Sequence, residues 1–167
     1  MNLIVCVDKN NGIGKNNTIP WNLRTDMKHF AKVTKNSIII MGGNTWKSIN
    51  SKPLKNRINL ILSKTMTNDN NYENTFFFTS FVLLHKFLEN IQSNKEIYAI
   101  GGKSIYEYFL KKNLINKIYM TKIDYDFNCD VFFPDIDLTN KYKITYKSNQ
   151  IIDNDIKFIF CIYNVIS

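Results

Sequence analysis

Cysteine and histidine are both scarce in this chain of 167 residues, which has three cysteines and two histidines. Cys6, Cys129 and Cys161 are odd in number, far apart and form no CxxC pair, which argues against a disulfide framework and a zinc site. His29 and His85 lack HExxH-like spacing, and neither accompanies a nucleophile motif such as GxSxG. We therefore predict no metal site, and the free cysteines are typical of a reducing, cytoplasmic environment.

Long hydrophobic runs are also absent. No apolar stretch approaches the roughly 18 residues that a membrane-spanning helix requires. The first run, Leu3–Val7, is too short for the apolar region of a secretory signal and is followed by Asp8. The hydrophobic fraction of 44% and the charged fraction of 22% are ordinary for globular proteins and exclude a disordered or fibrous chain. We expect one soluble domain over residues 1–167 and no membrane partner.

Arginine is rare even though basic residues predominate. The net charge is +8, yet the arginines are Arg24 and Arg57 alone. Such a charge is compatible with nucleic-acid binding. However, the lysines are spread along the whole chain, and a composition rich in Lys, Asn and Ile explains the charge at least as well. The sequence thus gives no firm evidence for a nucleic-acid partner, while a positive field favours an anionic small substrate.

Short β-branched apolar runs alternate with helical patterns. The predicted strands are Leu3–Val7, Ser37–Met41, Ile58–Leu62, Thr75–Phe78, Ile97–Ile100, Lys117–Ile123, a run near Ile144 and Ile156–Asn164. The predicted helices are Arg24–Thr34, a short one after Thr45, Phe81–Asn90 with Ser80 as N-cap, and Ser104–Lys111. This alternation predicts a mostly parallel α/β sheet covered on both faces. The last two runs, with no helix between them, are expected to form an antiparallel edge, and Thr67–Asn74 a polar surface loop.

Gly-Gly follows an apolar strand and precedes a predicted helix at two places, Gly42-Gly43 and Gly101-Gly102. Glycine permits a sharp turn and close approach of a ligand, and the following helix offers unpaired N–H groups to an anion. A single pair is more often a tight turn and nothing else. Two pairs on one parallel sheet suit a ligand with several phosphates. The pattern leaves a dinucleotide site and two simple turns as open alternatives.

Asp26 falls within an apolar helical face. Leu23, Asp26, Phe30 and Val33 follow one another at spacings of three and four residues. A carboxylate buried there is costly unless it is paired, which predicts a partner or a ligand. Alternatively, Asp26 lies in the first turn, interacts with the helix dipole and stays half solvated. The spacing does not decide between the two.

Arg57 lies in the segment Pro53–Arg57 of a chain that otherwise uses lysine. An arginine retained there suggests a need for the planar guanidinium, which binds a carboxylate or phosphate through two parallel hydrogen bonds. A solvated surface arginine is the commoner alternative. His29 and His85 are interpreted as ordinary residues of helix surfaces.

A series of short segments occurs in a specific order along the chain. They are Gly12–Gly14, Ile19–Trp21, Asp26 with Phe30, Ile40–Gly42, Thr45–Ile49, Pro53–Ser63, Ile100–Gly102, Ile105–Tyr106, Tyr119–Ile123 and Phe132–Asp135. Each segment is a weak motif by itself. In this order and spacing, the chain resembles the dihydrofolate reductase family over essentially its full length.

The resemblance implies a single α/β domain with a mostly parallel eight-stranded sheet, an antiparallel C-terminal strand and four flanking helices. It implies NADPH-dependent reduction of 7,8-dihydrofolate to 5,6,7,8-tetrahydrofolate, with hydride transfer to pterin C6 and protonation at N5, for one-carbon metabolism and thymidylate synthesis. The implied partners are dihydrofolate and antifolate inhibitors, and we expect a monomer. Alternatives are a related pterin or pyrimidine reductase on the same fold, a non-catalytic folate- or nucleotide-binding module, and a basic nucleic-acid-binding protein with a vestigial site.

By this resemblance, Asp26 holds the pterin through its 2-amino group and N3, Thr121 supports Asp26, and Trp21 helps to hold a nearby water. With Tyr106, these are the implied catalytic residues. Arg57 pairs with the α-carboxylate of the glutamate tail. The other implied substrate-binding residues are Ile4, Val5, Cys6, Phe30, Ile49, Leu54 and Ile100.

The resemblance also assigns residues to the cofactor. Those near the nicotinamide are Cys6, Ile13, Gly14, Ile19 and Tyr106. Those around the phosphates and the adenosine are Gly42, Gly43, Asn44, Thr45, Ser48, Leu62, Ser63, Lys64, Gly101, Gly102, Lys103, Ser104 and Ile105. The Gly101–Gly102 peptide is expected to be cis, and the segment Lys9–Trp21 to close over the nicotinamide.

Two departures from the family pattern stand out. Gly43 and Asn44 occupy positions where many members place basic residues beside the 2′-phosphate, so Lys64 is the candidate to compensate. Cys6 stands where the family often has alanine.

Overall fold

The computed structural model describes residues 1–66, 72–135 and 138–166. Residues 67–71, which form most of the predicted polar loop, lie outside the described residues. The strands are β1 (Asn2–Val7), β2 (Gly12–Gly14), β3 (Ile38–Gly42), β4 (Ile58–Leu62), β5 (Thr75–Phe78), β6 (Ile97–Gly101), β7 (Lys117–Ile123), β8 (Val131–Phe132), β9 (Tyr142–Lys147), β10 (Ile151–Asp153) and β11 (Ile156–Val165). The helices are α1 (Arg24–Val33), α2 (Gly43–Ser48), α3 (Phe81–Asn90), α4 (Lys103–Lys111) and α5 (Leu138–Lys141).

The main sheet is mostly parallel, as expected. Strands β5, β4, β3, β6, β1 and β7 lie side by side in that order, and each pairs with its neighbours in parallel. Strand β11 pairs with β7 in the antiparallel sense. Strands β9 and β10 both pair with the other edge of β11, at its two ends, and so share one position in the sheet. The sheet therefore has eight positions and a C-terminal antiparallel edge, which confirms the predicted fold class.

Strand β3 shows why the sheet is covered on both faces. Its residues Ile38, Ile39, Ile40 and Met41 are all buried. Ile38 and Ile40 belong to one core cluster, whereas Ile39 and Met41 belong to another. Since successive strand residues point to opposite faces, the two clusters lie on the two sides of the sheet. Such a continuous apolar strand is stable where helices and loops cover both faces.

The helices begin close to their predicted positions. Ser80 caps α3, because its hydroxyl accepts a hydrogen bond of 3.3 Å from the Leu83 N–H. Helix α2 starts at Gly43, before its predicted position after Thr45, and buries Trp46. The short elements β2, β8, β10 and α5 were not predicted, because two to four residues carry too little periodicity to be recognised. Within the described residues, no helix is long and apolar enough to span a membrane.

Asparagine supplies most of the left-handed turns. Among the described residues, twelve non-glycine residues have positive φ, and ten of them are asparagines. The short polar side chain of asparagine tolerates this region better than most others, because it can hydrogen-bond locally. The chain can therefore turn sharply at many loops with only six glycines.

Candidate functional site

The predicted site residues lie near the carboxyl ends of five neighbouring parallel strands. In the order β7, β1, β6, β3 and β4, these strands carry Thr121, Cys6, Gly101, Gly42 and Leu62. Adjacent strands are about 4.8 Å apart, so the row spans about 19 Å. This edge is where open α/β sheets bind their ligands, and its length suits an extended ligand.

Asp26 marks the β7 end of the row. The Thr121 hydroxyl donates a hydrogen bond of 2.6 Å to its Oδ1 atom, and the carboxylate is half-buried. Burial raises the pKa of Asp26 and outweighs the opposing effects of Thr121, the Cys6 thiol and His29. Asp26 thus combines the two alternatives considered for the sequence. It is paired with Thr121, and it is also half-solvated in the first turn of α1, where a ligand can reach it.

Cys6 lies between Asp26 and Trp21. It is the register partner of Thr121, so both side chains point to the same face of the sheet. Burial and, to a smaller extent, the charge of Asp26 raise the pKa of the Cys6 thiol well above its usual range. Trp21 lies within hydrogen-bonding reach of the thiol and acts in the opposite direction. The thiol is therefore protonated at neutral pH and adds a weak donor beside the carboxylate.

His29 is part of the same cluster, whereas its sequence context predicted an ordinary residue of a helix surface. Its ring stacks on Phe160, with centroids 4.0 Å apart, and Phe160 is the register partner of Thr121. Burial lowers the pKa of His29, although the charge of Asp26 acts in the opposite direction. The spacing of three residues from Asp26 was visible in the sequence, but the position of Phe160 depends on strand pairing.

Tyr106 is buried beneath the centre of the row. Its hydroxyl donates a hydrogen bond of 2.9 Å to the carbonyl oxygen of Ile4, one of the carbonyls expected to face the substrate. Burial raises the pKa of Tyr106, which keeps the phenol protonated. A Cβ added to Gly101 would lie 3.1 Å from the same hydroxyl, so glycine at that position lets the backbone approach the tyrosine closely.

The two Gly-Gly pairs lie beside each other at the carboxyl ends of β3 and β6. The Gly101–Gly102 peptide is cis, as expected, and Gly101 has φ +116°. A Cβ added to Gly42 would lie 3.8 Å from the Gly102 nitrogen, and one added to Gly43 would lie 3.1 Å from the Ser63 hydroxyl. Helix α4 begins directly after Gly102, so its first N–H groups face the same edge. The pairs thus form one surface with little side-chain bulk.

Arg57 is held at the far end of α1. Its Nε donates to the Thr34 hydroxyl (2.9 Å), one terminal nitrogen to the Lys55 carbonyl (2.7 Å) and the other to the Ala31 carbonyl (3.2 Å). A guanidinium has five N–H donors, so two remain beyond these three bonds. The carbon of the guanidinium lies 5.7 Å from the ring centre of Phe30. The guanidinium of Arg57 is therefore held in one orientation by the protein and is not a freely solvated surface group.

The remaining predicted residues differ in their exposure. Phe30, Ile49, Leu54 and Ile100 pack against one core cluster that also contains Ile4. Val5 and Ile105 belong to the other cluster, with Ile13 and Leu62 packed against it. The exposed ones are Ile19, Asn44, Ser48, Lys64, Lys103 and Ser104, while Gly14 and Thr45 are half-buried.

Known proteins resemble this chain over nearly its whole length. The family model described as dihydrofolate reductase matches residues 1–165. A viral dihydrofolate reductase of Saimiriine herpesvirus 2 is 37% identical over 182 residues, covering 99% of this chain and 85% of the relative. The dihydrofolate reductase of Schistosoma mansoni is 32% identical over 179 residues, covering 99% and 96%.

A longer protein also matches. The bifunctional dihydrofolate reductase-thymidylate synthase of Paramecium tetraurelia is 35% identical over 131 residues, covering 78% of this chain and 27% of that protein. The family model and the two full-length relatives cover nearly the whole chain. This chain belongs to the dihydrofolate reductase family.

Proposed function

We propose that this chain reduces 7,8-dihydrofolate to 5,6,7,8-tetrahydrofolate with NADPH, acting as a single reductase domain. One observation carries the proposal. A half-buried carboxylate, Asp26, lies at one end of the strand row, and two adjacent Gly-Gly turns lie towards the other. A pterin at the first end and a dinucleotide along the second would meet at the centre, over Cys6 and Tyr106.

Asp26 holds the pterin in this proposal. The 2-amino group and N3 of the ring would donate hydrogen bonds to the carboxylate, whose position is supported by Thr121. Burial raises the pKa of Asp26, because the surroundings of its carboxylate are less polar than water. Hydrogen bonds from a bound pterin to this carboxylate are therefore stronger than they would be in water. Asp26 thereby orients the ring and favours the proton at N5, which arrives through water.

The tail of the substrate would run along α1 towards Arg57. Phe30, Ile49 and Leu54 form the apolar wall of this path. The two N–H groups of Arg57 that remain beyond its protein contacts suit the α-carboxylate of a glutamate. Asp26 and Thr34 are eight residues apart, or about 12 Å along the helix axis, which suits an elongated ligand.

The cofactor site fits a dinucleotide because its surface is mainly backbone. Gly42, Gly43 and Gly102 leave room near the start of α4 for phosphate oxygens, and Ser63 lies beside Gly43. Lys64 is exposed nearby and is the cation we assign to the 2′-phosphate. When bound, NADPH supplies the hydride that reaches pterin C6. The segment Lys9–Trp21 would cover the nicotinamide and exclude bulk water.

The proposal is tested by adding dihydrofolate to the purified chain and following the absorbance of the reduced nicotinamide, with NADPH and NADH in parallel. We expect loss of absorbance with NADPH, blocked by the antifolate methotrexate. Folded protein that oxidises neither cofactor would contradict the proposal and direct attention to the related reductases on this fold.

Replacing Lys64 with alanine tests the recognition of the 2′-phosphate. Removing one exposed cation near a phosphate is expected to raise the KM for NADPH about 3- to 10-fold and to leave the KM for NADH nearly unchanged. Lys111→Ala is a matched control, since Lys111 is an exposed lysine at the far end of α4 and is assigned to no ligand. Equal changes for the two cofactors in Lys64→Ala would remove Lys64 from phosphate recognition.

A further inference from the structure

Asp8 is a buried carboxylate that the proposed reaction does not use. It follows β1 directly and is 2% exposed. One of its oxygens accepts hydrogen bonds from the backbone N–H groups of Asn10 (2.9 Å) and Gly12 (2.7 Å). The other accepts one from the N–H of Phe127 (3.1 Å). The Cys129 thiol lies within hydrogen-bonding reach of the same carboxylate.

These bonds join two segments that are distant in the sequence. Asn10 and Gly12 belong to the segment Lys9–Trp21, which we call the lid. Phe127 and Cys129 belong to residues 125–133, which we call the facing loop. Strands β2 and β8 pair between the two segments. Asp8 is the buried carboxylate at their junction.

The two segments are closely packed beside Asp8. A Cβ added to Gly12 would lie 2.4 Å from the Cβ of Cys129 and 2.9 Å from the carboxyl carbon of Asp8. Real Cβ atoms do not approach other atoms so closely, so the backbone of the lid contacts the cysteine side chain directly. A shift of either segment must therefore disturb the other.

Phe127 connects Asp8 to the other end of the lid. Its N–H group donates to Asp8, and its ring packs on Trp21 with centroids 5.2 Å apart. Trp21 in turn lies within hydrogen-bonding reach of the Cys6 thiol, beside Asp26. Phe127 therefore contacts both Asp8, which directly precedes the lid, and Trp21, the last residue of the lid, which lies next to Asp26.

We infer that Asp8 is a positioning residue for the reaction, which holds the lid over the nicotinamide by fixing the backbone of Gly12 and, through Phe127, the ring of Trp21. This inference rests on the proposed function. At 2% exposure Asp8 has almost no surface open to a ligand, so it acts through the lid.

The chemistry of a carboxylate suits this role. Burial tends to raise the pKa of Asp8, but the hydrogen bonds from Gly12, Phe127 and Asn10 outweigh burial, so the pKa is lowered and the group stays ionised. An ionised carboxylate accepts on both oxygens. Asparagine has nearly the same shape, but its NH2 group is a donor, so one set of N–H groups would lose its acceptor.

The test compares Asp8→Asn with Asp124→Asn. Asp124 is a matched control because it lies between β7 and the facing loop, and its exposed side chain is 3.9 Å from Lys9. We expect Asp8→Asn to raise the KM for NADPH and to slow hydride transfer in a single turnover, each by about 10-fold. The KM for dihydrofolate should change less, and Asp124→Asn should resemble the wild type.

The reactivity of Cys129 provides a readout that does not depend on activity. Burial, together with Asp8, raises the pKa of this thiol to about 11, so we expect slow alkylation at pH 8. In Asp8→Asn the pKa should fall and the lid should loosen. We therefore expect alkylation of Cys129, identified by peptide mass spectrometry, to become several-fold faster.

A second variant keeps the inference testable if Asp8→Asn does not fold. Phe127→Leu retains the N–H donor to Asp8 but removes the ring on Trp21, so it should slow hydride transfer without changing the reactivity of Cys129. A merely structural Asp8 would lower the melting temperature and leave both kinetic constants of the folded fraction unchanged, which would overturn the inference. If the wild type does not reduce dihydrofolate, the proposed function fails. Unchanged Cys129 reactivity in Asp8→Asn instead contradicts the inference about Asp8.

Discussion

Replacing Asp26 with asparagine is expected to lower kcat/KM for dihydrofolate at neutral pH by about 10²- to 10³-fold. The carboxylate is the charged group that would hold the pterin, and Thr121 donates to it at 2.6 Å. An amide of the same shape offers one acceptor and one donor, so it cannot accept from both the 2-amino group and N3. Steady-state kinetics with saturating NADPH would measure the loss, and wild-type turnover in the variant would contradict the assigned role.

The same variant should fold at least as well as the wild type. Burial raises the pKa of Asp26 in the folded chain, so folding favours the protonated form. Above the ordinary pKa of an aspartate, the ionised carboxylate therefore destabilises the fold, and this cost disappears as the pH falls below that value. We expect the melting temperature of Asp26→Asn to equal or exceed that of the wild type at pH 7, with a smaller difference at pH 3 to 4.

Asp153→Asn is the control for effects on helix α1 as a whole. Asp153 accepts a hydrogen bond of 2.7 Å from the N–H of Thr25, the residue before Asp26. Replacing Asp153 perturbs the start of the same helix but leaves Asp26 in place. Activity should stay within about twofold of the wild type, so a large loss in Asp153→Asn would show that the position of α1, and not the charge of Asp26, determines turnover.

Replacing Arg57 with alanine should raise the KM for dihydrofolate by about 10- to 100-fold with a smaller change in kcat. This range corresponds to the loss of a charge-assisted pair of hydrogen bonds to a carboxylate. A pterin substrate without the glutamate tail should be reduced equally well by both forms. Equal losses on the two substrates would contradict the assignment of Arg57 to the tail.

Arg57 also has a structural role, and the experiment must separate its effect on stability from its effect on substrate binding. It joins Thr34, Lys55 and the Ala31 carbonyl, so alanine removes three contacts at the end of α1. Arg57→Ala should have a lower melting temperature than the wild type. Its kinetics must therefore be measured at a temperature well below that melting temperature. Arg24→Ala provides the matched control, because Arg24 is an exposed arginine at the other end of the same helix.

Much of the fold was predictable from local pattern. The apolar runs of β3, β4, β5 and β7 and the capped helix α3 carry enough periodicity to be recognised within about ten residues of chain. The ordered segments that resemble the family added the cis peptide Gly101–Gly102, which composition could not indicate. The assigned roles of the site residues remain predictions that the kinetic experiments above test.

Other features depend on contacts between distant parts of the chain. Thr121 meets Asp26 across 95 positions, and His29 joins them because Phe160 happens to pair with Thr121. Asp8 looked like the end of an apolar strand, yet Phe127, 119 positions away, makes it the link between the lid and the facing loop. Sequence periodicity records which side of an element is apolar. Register and loop packing decide which polar groups become neighbours, and therefore which of them have altered pKa values and shared roles.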